Sequence, residues 1–207
     1  DPSSPEEAYK MIGDAFEYSE KYNTPVLFRP TTRVCHAYAS IDNCDSPSPK
    51  KYEGFVKDSK KWVIFPRLSF ANHIMIEKRN VEIGKDFSTY SANKAEGVNS
   101  EKAVVTSGIS YAYTKECLKD YQDVKLIKIA TAYPFPEDFV LSSLEGAKEV
   151  LCIEELSPFI EEQILKLAGK HGLQLKVSGK LDGKVQAGGE NSTDKIAAIL
   201  GEFLGKD

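Results

Sequence analysis

The sequence predicts an α/β protein with a parallel sheet, and three observations in its second half support this prediction. Short apolar runs at residues 103–107, 124–129, 150–153 and 173–177 have the length and composition of buried strands. A turn signal and a helix-length segment separate each run from the next. Alternating strands and helices are typical of βαβ units with right-handed crossovers. We therefore expect a Rossmann-like core against which the rest of the chain packs.

The N-terminal residues predict a helix followed by a short strand. Ser4, Pro5 and Glu7 form a capping-box start, in which the Ser4 hydroxyl accepts from the Glu7 amide and proline occupies the first turn. Apolar residues then recur at helical spacing to about residues 21–23. Residues 25–28 predict a strand. This αβ unit lacks earlier strands, so it cannot close a sheet by itself.

The segment between the two αβ regions predicts linkers and one helix. Residues 40–60 are rich in Pro, Ser, Lys and Asp, which is typical of a surface loop. Residues 61–68 form a compact apolar stretch around Trp62 and Phe65, and Ser69 is expected to cap a helix that ends near Asn80. The polar residues 82–101 predict a second linker or an irregular helix. A local group of lysines is interpreted as a solvated face: Lys50, Lys51, Lys57, Lys60 and Lys61.

Helices of the core are expected between and after its strands. They are placed at about 110–121, 137–144 and from Ser157 onward, with a last helix capped by Ser192 or Thr193. The glycine-rich residues 179–190 predict a flexible loop. These helices complete an α/β layer structure.

Five polar residues after the predicted strand at 25–28 are the candidate site: Arg29, Thr31, Thr32, Arg33 and His36. The carboxyl ends of strands are where open α/β sheets bind ligands. Two arginines can hold a carboxylate or a phosphate in bidentate fashion, and the threonine hydroxyls add donors. An ordinary loop with exposed arginines remains the alternative. The histidine is a weaker candidate, because no catalytic partner is fixed near it in the sequence.

Composition excludes several classes of function. The net charge is −4, from 27 basic and 31 acidic residues, and no basic stripe of the kind that binds nucleic acid is present. The sequence contains no run of about 18 apolar residues, so it does not predict a membrane-spanning helix. The chain begins at Asp1 without a methionine or a signal sequence, and we expect it to be an internal piece of a longer protein.

The cysteines and acidic pairs give no catalytic constellation. Cys35, Cys44, Cys117 and Cys152 match neither a CxxC metal motif nor an iron–sulfur run, so we interpret them as inert thiols in a reducing compartment.

Other motifs favour structural roles. Gly108 is a single glycine after a predicted strand, whereas a dinucleotide-binding fingerprint needs three glycines at this place. A tight strand-to-helix turn is therefore enough to explain it. Glu154 and Glu155 are neighbours on a predicted strand and are expected to point to opposite faces, which argues against an acid/base pair. Tyr133 and Phe135 are either anchors of an interface or part of the domain's own packing.

Three groups of motifs together resemble the 2-oxoacid:ferredoxin oxidoreductases, and most closely the large (alpha) subunit of the indolepyruvate type. Residues 1–8 and 24–36 resemble the end of the thiamine-pyrimidine domain. Residues 54–58, 62–67 and 71–73 resemble the connecting segment of that subunit. Residues 106–113, 133–136 and 154–156 resemble its next domain, which has the fold of the transketolase C-terminal domain.

The resemblance divides the chain into three parts. Residues 1–45 would be the truncated C-terminal end of the pyrimidine-binding domain, residues 46–101 a linker with a connecting helix, and residues 102–207 the transketolase C-terminal-like α/β domain. Arg33 and His36 stand where related pyruvate enzymes have an Arg-Thr-Ser-His element, but Val34 and Cys35 replace its hydroxyl residues.

The resemblance also implies an activity for the parent enzyme. Such enzymes oxidatively decarboxylate arylpyruvates to acyl-CoA, using thiamine diphosphate, Mg²⁺, [4Fe–4S] clusters and CoA, and pass electrons to ferredoxin. This chain has neither a Gly-Asp-Gly motif nor clustered cysteines, so we expect the fragment to bind no cofactor and to be inactive alone. Its implied partners are the remainder of the large subunit, the small (beta) subunit and ferredoxin, without nucleic acid or membrane, in the cytoplasm.

Two other interpretations remain open at this point. The chain could be a non-catalytic α/β module that binds a small anion through Arg29 and Arg33. Alternatively, the parent enzyme could act on pyruvate or a branched-chain 2-oxoacid.

Overall fold

A five-stranded sheet organises this computed structural model, which describes residues 1–42 and 54–205. The strands are β1 (Lys94–Gly97), β2 (Lys102–Thr106), β3 (Lys125–Lys128), β4 (Glu149–Ile153) and β5 (Lys176–Ser178). They lie in the order β1-β3-β2-β4-β5. Strands β2 to β5 pair in parallel, whereas β1 pairs antiparallel with β3 at one edge. The expected α/β class with a mostly parallel sheet is confirmed.

The described part of the chain contains eight α-helices. They are α1 (Pro5–Tyr22), α2 (Thr32–Cys35), α3 (Ser59–Trp62), α4 (Pro66–Ser88), α5 (Gly108–Cys117), α6 (Glu137–Ser143), α7 (Phe159–His171) and α8 (Thr193–Leu204). A 3₁₀ turn, Leu118–Asp120, extends α5.

Side chains alternate along the central strands and build a core on each face of the sheet. Val105, Ile127 and Cys152 contribute to the core that α6 and α7 cover. Val104, Leu126 and other intervening strand residues contribute to the core that α5 and α8 cover. Because successive strand residues point to opposite faces, uninterrupted apolar runs are what a sheet covered on both sides requires.

The start of α1 follows the expected capping chemistry. The Ser4 hydroxyl accepts from the Glu7 amide at 3.2 Å, and Pro5 occupies the first turn. The Glu7 carboxylate reaches back to the Ser3 amide at 2.6 Å, one residue earlier than a standard capping box. Asn23 closes the helix in the left-handed conformation.

The predicted strand at residues 25–28 is wrong. This segment forms no sheet pairing, and Leu27 is 89% exposed. A strand is stable when its backbone groups bond to a neighbouring strand, and the described residues place none beside this segment. Phe28 instead packs with Met11, Ala92 and Ala130 between α1 and the sheet.

At residues 82–101 we expected a second linker or an irregular helix, but the segment contains the end of a regular helix and a strand. Helix α4 begins at Pro66, not Ser69, and continues past Asn80 to Ser88. The last turns of α4 pack closely against Phe135. A Cβ added at Gly84 would lie 3.3 Å from the Phe135 carbonyl oxygen. Strand β1 follows, although its sequence Lys-Ala-Glu-Gly shows no apolar alternation. Both elements depend on tertiary contacts that periodicity does not reveal.

One further expectation needs correction. The stretch around Trp62 and Phe65 is not a compact apolar unit, because both side chains are more than half exposed. The glycine-rich residues 179–190 form a loop without helix or strand, in which Val185 is buried and the Asp182 carboxylate accepts from the Gly179 amide at 2.9 Å. Cys44, Lys50 and Lys51 lie outside the described residues.

Candidate cavity at the carboxyl edge of the sheet

A cavity of about 980 Å³ opens at the carboxyl ends of β2, β3 and β4. Its floor is formed by the residues that directly follow these strands: Ser107 and Gly108, residues 130–134, and residues 154–157. Ligands of open α/β sheets bind at this edge, and the volume lies within the range of small-molecule sites. The opposite wall consists of α1, residues 24–33 and the second half of α4.

An aromatic cluster forms the wall between α1 and α4. The Tyr18 ring centroid lies 5.2 Å from that of Phe87 and 6.0 Å from that of Tyr90. The Tyr90 hydroxyl donates to the Asp14 carboxylate at 2.5 Å. Burial raises the pKa of Tyr90, and the bond to Asp14 raises it further, so the phenol stays protonated at physiological pH. This cluster is a tertiary assembly that the sequence pattern did not predict.

Polar contacts at the outer end of this aromatic cluster join α1 to α4. The Asp86 carboxylate accepts from Lys21 and from the Tyr22 hydroxyl. These hydrogen bonds lower the pKa of Asp86. The Lys21 ammonium lies 4.9 Å from the Tyr22 ring centroid, within the range of a cation–π contact.

Four of the five sequence-predicted site residues line the cavity. Arg29, Thr31, Thr32 and Arg33 lie on its wall, whereas His36 is exposed at the end of α2 and is not among the lining residues. The reasoning that placed them there was wrong, because no strand precedes them. The Arg29–Asp1 pair and the packing of Phe28 against Met11, Ala92 and Ala130 hold this segment beside the sheet.

Both arginines are already paired with carboxylates. Arg29 donates from Nε and Nη2 to the two oxygens of Asp1 at 3.1 and 2.9 Å. Arg33 donates from Nε and Nη2 to one oxygen of Glu190 at 2.9 and 2.7 Å. An anionic ligand would have to compete with these carboxylates, so the geometry gives the small-anion hypothesis little support.

Thr31 lies against the amino end of α5. Its Oγ1 is buried without a hydrogen-bond partner, and its Cγ2 lies 3.5 Å from where a Cβ on Gly108 would stand. Gly108 has a φ of +52°, a conformation that favours glycine. The tight turn expected from the sequence is therefore observed here.

Glu154 and Glu155 both line the cavity, because β4 ends at Ile153 and the strand alternation does not extend to them. The Glu154 carboxylate accepts from the amides of Ile160 and Glu161 at 2.9 and 3.0 Å and so caps α7. Burial raises the pKa of Glu154. Glu155 accepts from the Asn191 amide at 3.1 Å. The two carboxylates thus bind different backbone groups.

A buried lysine joins the sheet to α1. The Lys128 side chain is 1% exposed, and its ammonium bonds to the Glu7 carboxylate and, at 3.0 Å, to the Ser3 hydroxyl. Burial lowers the pKa of Lys128. Burial also opposes ionisation of Glu7, but hydrogen bonds from Lys128 and Ser3 lower the pKa of that carboxyl.

Asn93 fixes the loop that follows β3. Its side-chain amide donates to the Phe87 carbonyl and the Thr131 hydroxyl, both at 2.7 Å, and its oxygen accepts from the Ala130 amide at 2.7 Å. Sequence reasoning missed this residue because it lies in a segment interpreted as a linker.

The described cysteines are separate free thiols. Cys35 is exposed, and Cys117 donates weakly to the Thr193 carbonyl at 3.4 Å. Burial raises the pKa of Cys117 and of Cys152. Within residues 1–42 and 54–205, no three His, Cys, Asp or Glu side chains lie together as a metal site. No described helix has the length and apolar character needed to cross a membrane.

The fold and the cavity define an α/β domain that carries an N-terminal helical arm and a ligand-sized space at its sheet edge. Sequence comparison identifies the relatives of this protein as indolepyruvate oxidoreductase subunits IorA. The chain is 33% identical to IorA of Thermococcus kodakarensis over 214 residues, and 33% identical to IorA of Methanothermobacter thermautotrophicus over 209 residues. In each case the match covers 99% of this chain and about a third of the relative.

No family model matches the chain. Among solved structures, it is similar to a 2-oxoglutarate:ferredoxin oxidoreductase from Magnetococcus marinus, with 14% identity and a TM-score of 0.47. That match covers 88% of this chain and 29% of the other.

Proposed function

We propose that this chain is a segment of the large subunit of a 2-oxoacid:ferredoxin oxidoreductase of the indolepyruvate type. The observation that carries the proposal is the similarity of 99% of the chain to a continuous third of the IorA subunits. The complete enzyme would oxidatively decarboxylate arylpyruvates to acyl-CoA with thiamine diphosphate and pass the electrons to ferredoxin, in the cytoplasm.

The cofactors of that reaction would be held outside this segment. The described cysteines are one exposed, one half-buried and one strand thiol, which does not fit a [4Fe–4S] ligand set. The carboxylates at the cavity are engaged by backbone amides, a tyrosine hydroxyl and arginines, which does not fit a magnesium diphosphate site. We derive no catalytic step from these residues.

The role of the segment would be to orient and assemble the larger subunit. The polar groups around the cavity join one element to another: Glu154 caps α7, Asp86 joins α1 to α4, and Lys128 joins the sheet to α1. The exposed apolar side chains of residues 1–42 and 54–88 would supply surface for the remainder of the large subunit and for the small subunit.

The test is an activity assay on the complete subunit. It is expressed with its smaller partner and assayed anaerobically for CoA-dependent reduction of a viologen dye by indolepyruvate. We expect activity with arylpyruvates, no activity with pyruvate or branched-chain 2-oxoacids, and none with the 207-residue chain alone.

Each other result has a defined meaning. Activity with pyruvate or a branched-chain substrate in place of arylpyruvates would change the assigned substrate. A complete subunit that binds no thiamine diphosphate and reduces no dye would refute the proposal. Activity of the short chain alone would refute the assembly role.

A further inference from the structure

The glycine-rich strap, residues 179–191, is fixed to the α/β domain near both of its ends. At its start, the buried carboxylate of Glu161 accepts from the amides of residues 180 and 181 at 2.7 and 3.2 Å. At its end, the buried side chain of Asn191 donates to the Ser110 hydroxyl at 2.9 Å. Buried polar groups that are bonded in this way are costly to separate, so both ends of the strap stay on the domain.

The tip of the strap, residues 187–190, is exposed between these fixed points. No described atom lies within 4 Å of where a Cβ on Gly188 would stand, and a second glycine follows it. The Glu190 carbonyl accepts from the side chains of Gln186 and Lys195 at 2.8 and 3.2 Å. The two ends of the tip are therefore held close together, while its glycine backbone is free to move between them.

An ion pair joins the tip to the opposite wall of the cavity. Arg33, on α2, donates twice to the Glu190 carboxylate, and both residues line the cavity. Their side chains are 59% and 50% exposed, so the pair lies where the cavity meets solvent. Exposed ion pairs contribute little to stability, so this pair can break and re-form without unfolding of the protein.

We propose that the Arg33–Glu190 pair is the latch of a gate at the mouth of the cavity. When the pair is formed, the tip and α2 together close this part of the mouth. When the pair breaks, the tip moves away on its fixed ends and the mouth widens. The proposal goes beyond the oxidoreductase function, because it concerns access to the cavity and not the reaction.

The test measures how fast a bulky thiol reagent reaches the floor of the cavity. Ser107→Cys places a thiol on that floor, and the Ser107 side chain makes no capping hydrogen bond that the change would remove. The 207-residue protein is treated with fluorescein maleimide, and labelling at position 107 is followed by peptide mass spectrometry. Cys35 is the internal reference, since it is exposed and is not among the lining residues.

The latch is broken in this background by Glu190→Gln, which leaves the bonds to the Glu190 carbonyl in place. We expect labelling at position 107 to become about two- to fivefold faster, the range that corresponds to loss of an exposed ion pair. Glu137→Gln is the matched control, because it breaks the exposed pair with Lys170 and Glu137 does not line the cavity. An unchanged rate in Glu190→Gln, or an equal increase in the control, would overturn the proposal.

Salt should act through the same pair. Raising the salt to about 1 M NaCl screens exposed charges, so labelling at position 107 should become faster when Glu190 is present and stay unchanged in Glu190→Gln. Equal responses to salt with and without the Glu190 carboxylate would contradict the latch.

Hydrogen exchange follows the motion without an introduced thiol. The amides of residues 187–190 should exchange faster in Glu190→Gln than in the wild-type chain, with those of β2 and β4 unchanged. Unchanged exchange at the tip, or faster exchange throughout the protein, would overturn the proposal. Oxidoreductase activity is measured separately on the complete subunit, so a failure of the gate and a failure of the proposed function are distinguishable.

Discussion

The α/β domain and the N-terminal arm differ in how far their apolar side chains are buried. The domain comprises residues 90–205, and the arm comprises residues 1–42 and 54–88. The α/β domain buries its apolar strand residues in two cores, one on each face of the sheet. In the arm, Pro2, Met11, Val34 and Ile83 are buried, whereas the side chains of Phe16, Leu27 and many others are exposed. Large exposed apolar surfaces mark contacts with other protein. The domain thus buries its apolar strand residues within itself, whereas the arm leaves apolar side chains exposed.

The largest effect should follow from a cavity in the domain core. Ile164→Ala removes a fully buried side chain between α7 and the sheet and should cost about 2–5 kcal/mol of unfolding free energy. Leu27→Ala in the arm should cost less than about 0.5 kcal/mol, because the side chain is 89% exposed. Urea denaturation of both variants measures this contrast. Similar losses in the two variants would remove the distinction between the regions.

Removal of the buried ion pair that joins the arm to the domain should have the next largest effect on stability. Lys128→Ala leaves Glu7 without its buried partner and should destabilise the protein by about 3 kcal/mol. The matched control is Lys148→Ala, which breaks the exposed pair with Glu101 and should change stability by less than about 1 kcal/mol.

Hydrogen exchange shows which region of the Lys128→Ala variant loses stability. Faster exchange of the α1 amides in Lys128→Ala, with β2 and β4 amides little changed, is the expected result. Uniformly faster exchange would show that the arm and the domain unfold as one unit.

A smaller effect should appear in the pH dependence of two carboxyls. The pKa of Glu7 is lowered from 4.5 on folding, so its stabilising charge is present at neutral pH and is lost as the pH falls through the folded pKa. The pKa of Glu154 is raised from 4.5, so its ionisation reduces stability as the pH rises through that range.

Unfolding curves between pH 3 and 7 test the opposite signs. The stability deficit of Glu7→Gln relative to wild type should shrink on acidification. The stability of Glu154→Gln relative to wild type should increase as the pH rises from about 4.5. The same trend in both variants would contradict the assignment.

The smallest effect is expected at the surface pair of the cavity. Arg33→Gln should leave the unfolding midpoint unchanged within error, because both side chains of the pair are at least half exposed. A clear loss of stability would show that the pair helps to hold the arm on the domain.

The same division explains how much of the fold could be predicted. Strands β2, β3 and β4 follow from their apolar runs, because burial on both faces leaves a local signature in the sequence. Strand β1 leaves none, since its register comes from pairing with β3. The segment at 25–28 has strand composition but no neighbour, so composition alone predicted a strand that does not form.

The cavity was predictable only in part. Arg29, Thr31, Thr32 and Arg33 were expected at the carboxyl edge of a sheet, and they line the cavity there, while their role in binding stays a prediction. Their partners were not predictable, because Arg33 and Glu190 are 157 positions apart in the sequence. The aromatic wall was missed for the same reason, as it joins α1 to the end of α4.

Chemical acylation of the two buried lysines of β3 can detect the opening of the arm and the opening of the α/β domain as separate events. The Lys128 amine is covered by Ser3 and Glu7, so an acylating reagent reaches it when the arm separates from the sheet. The Lys125 amine donates to the Ser143 carbonyl at 2.9 Å, so it reacts when the end of α6 leaves the sheet. Mass spectrometry of two residues three positions apart therefore times two different opening events in one sample.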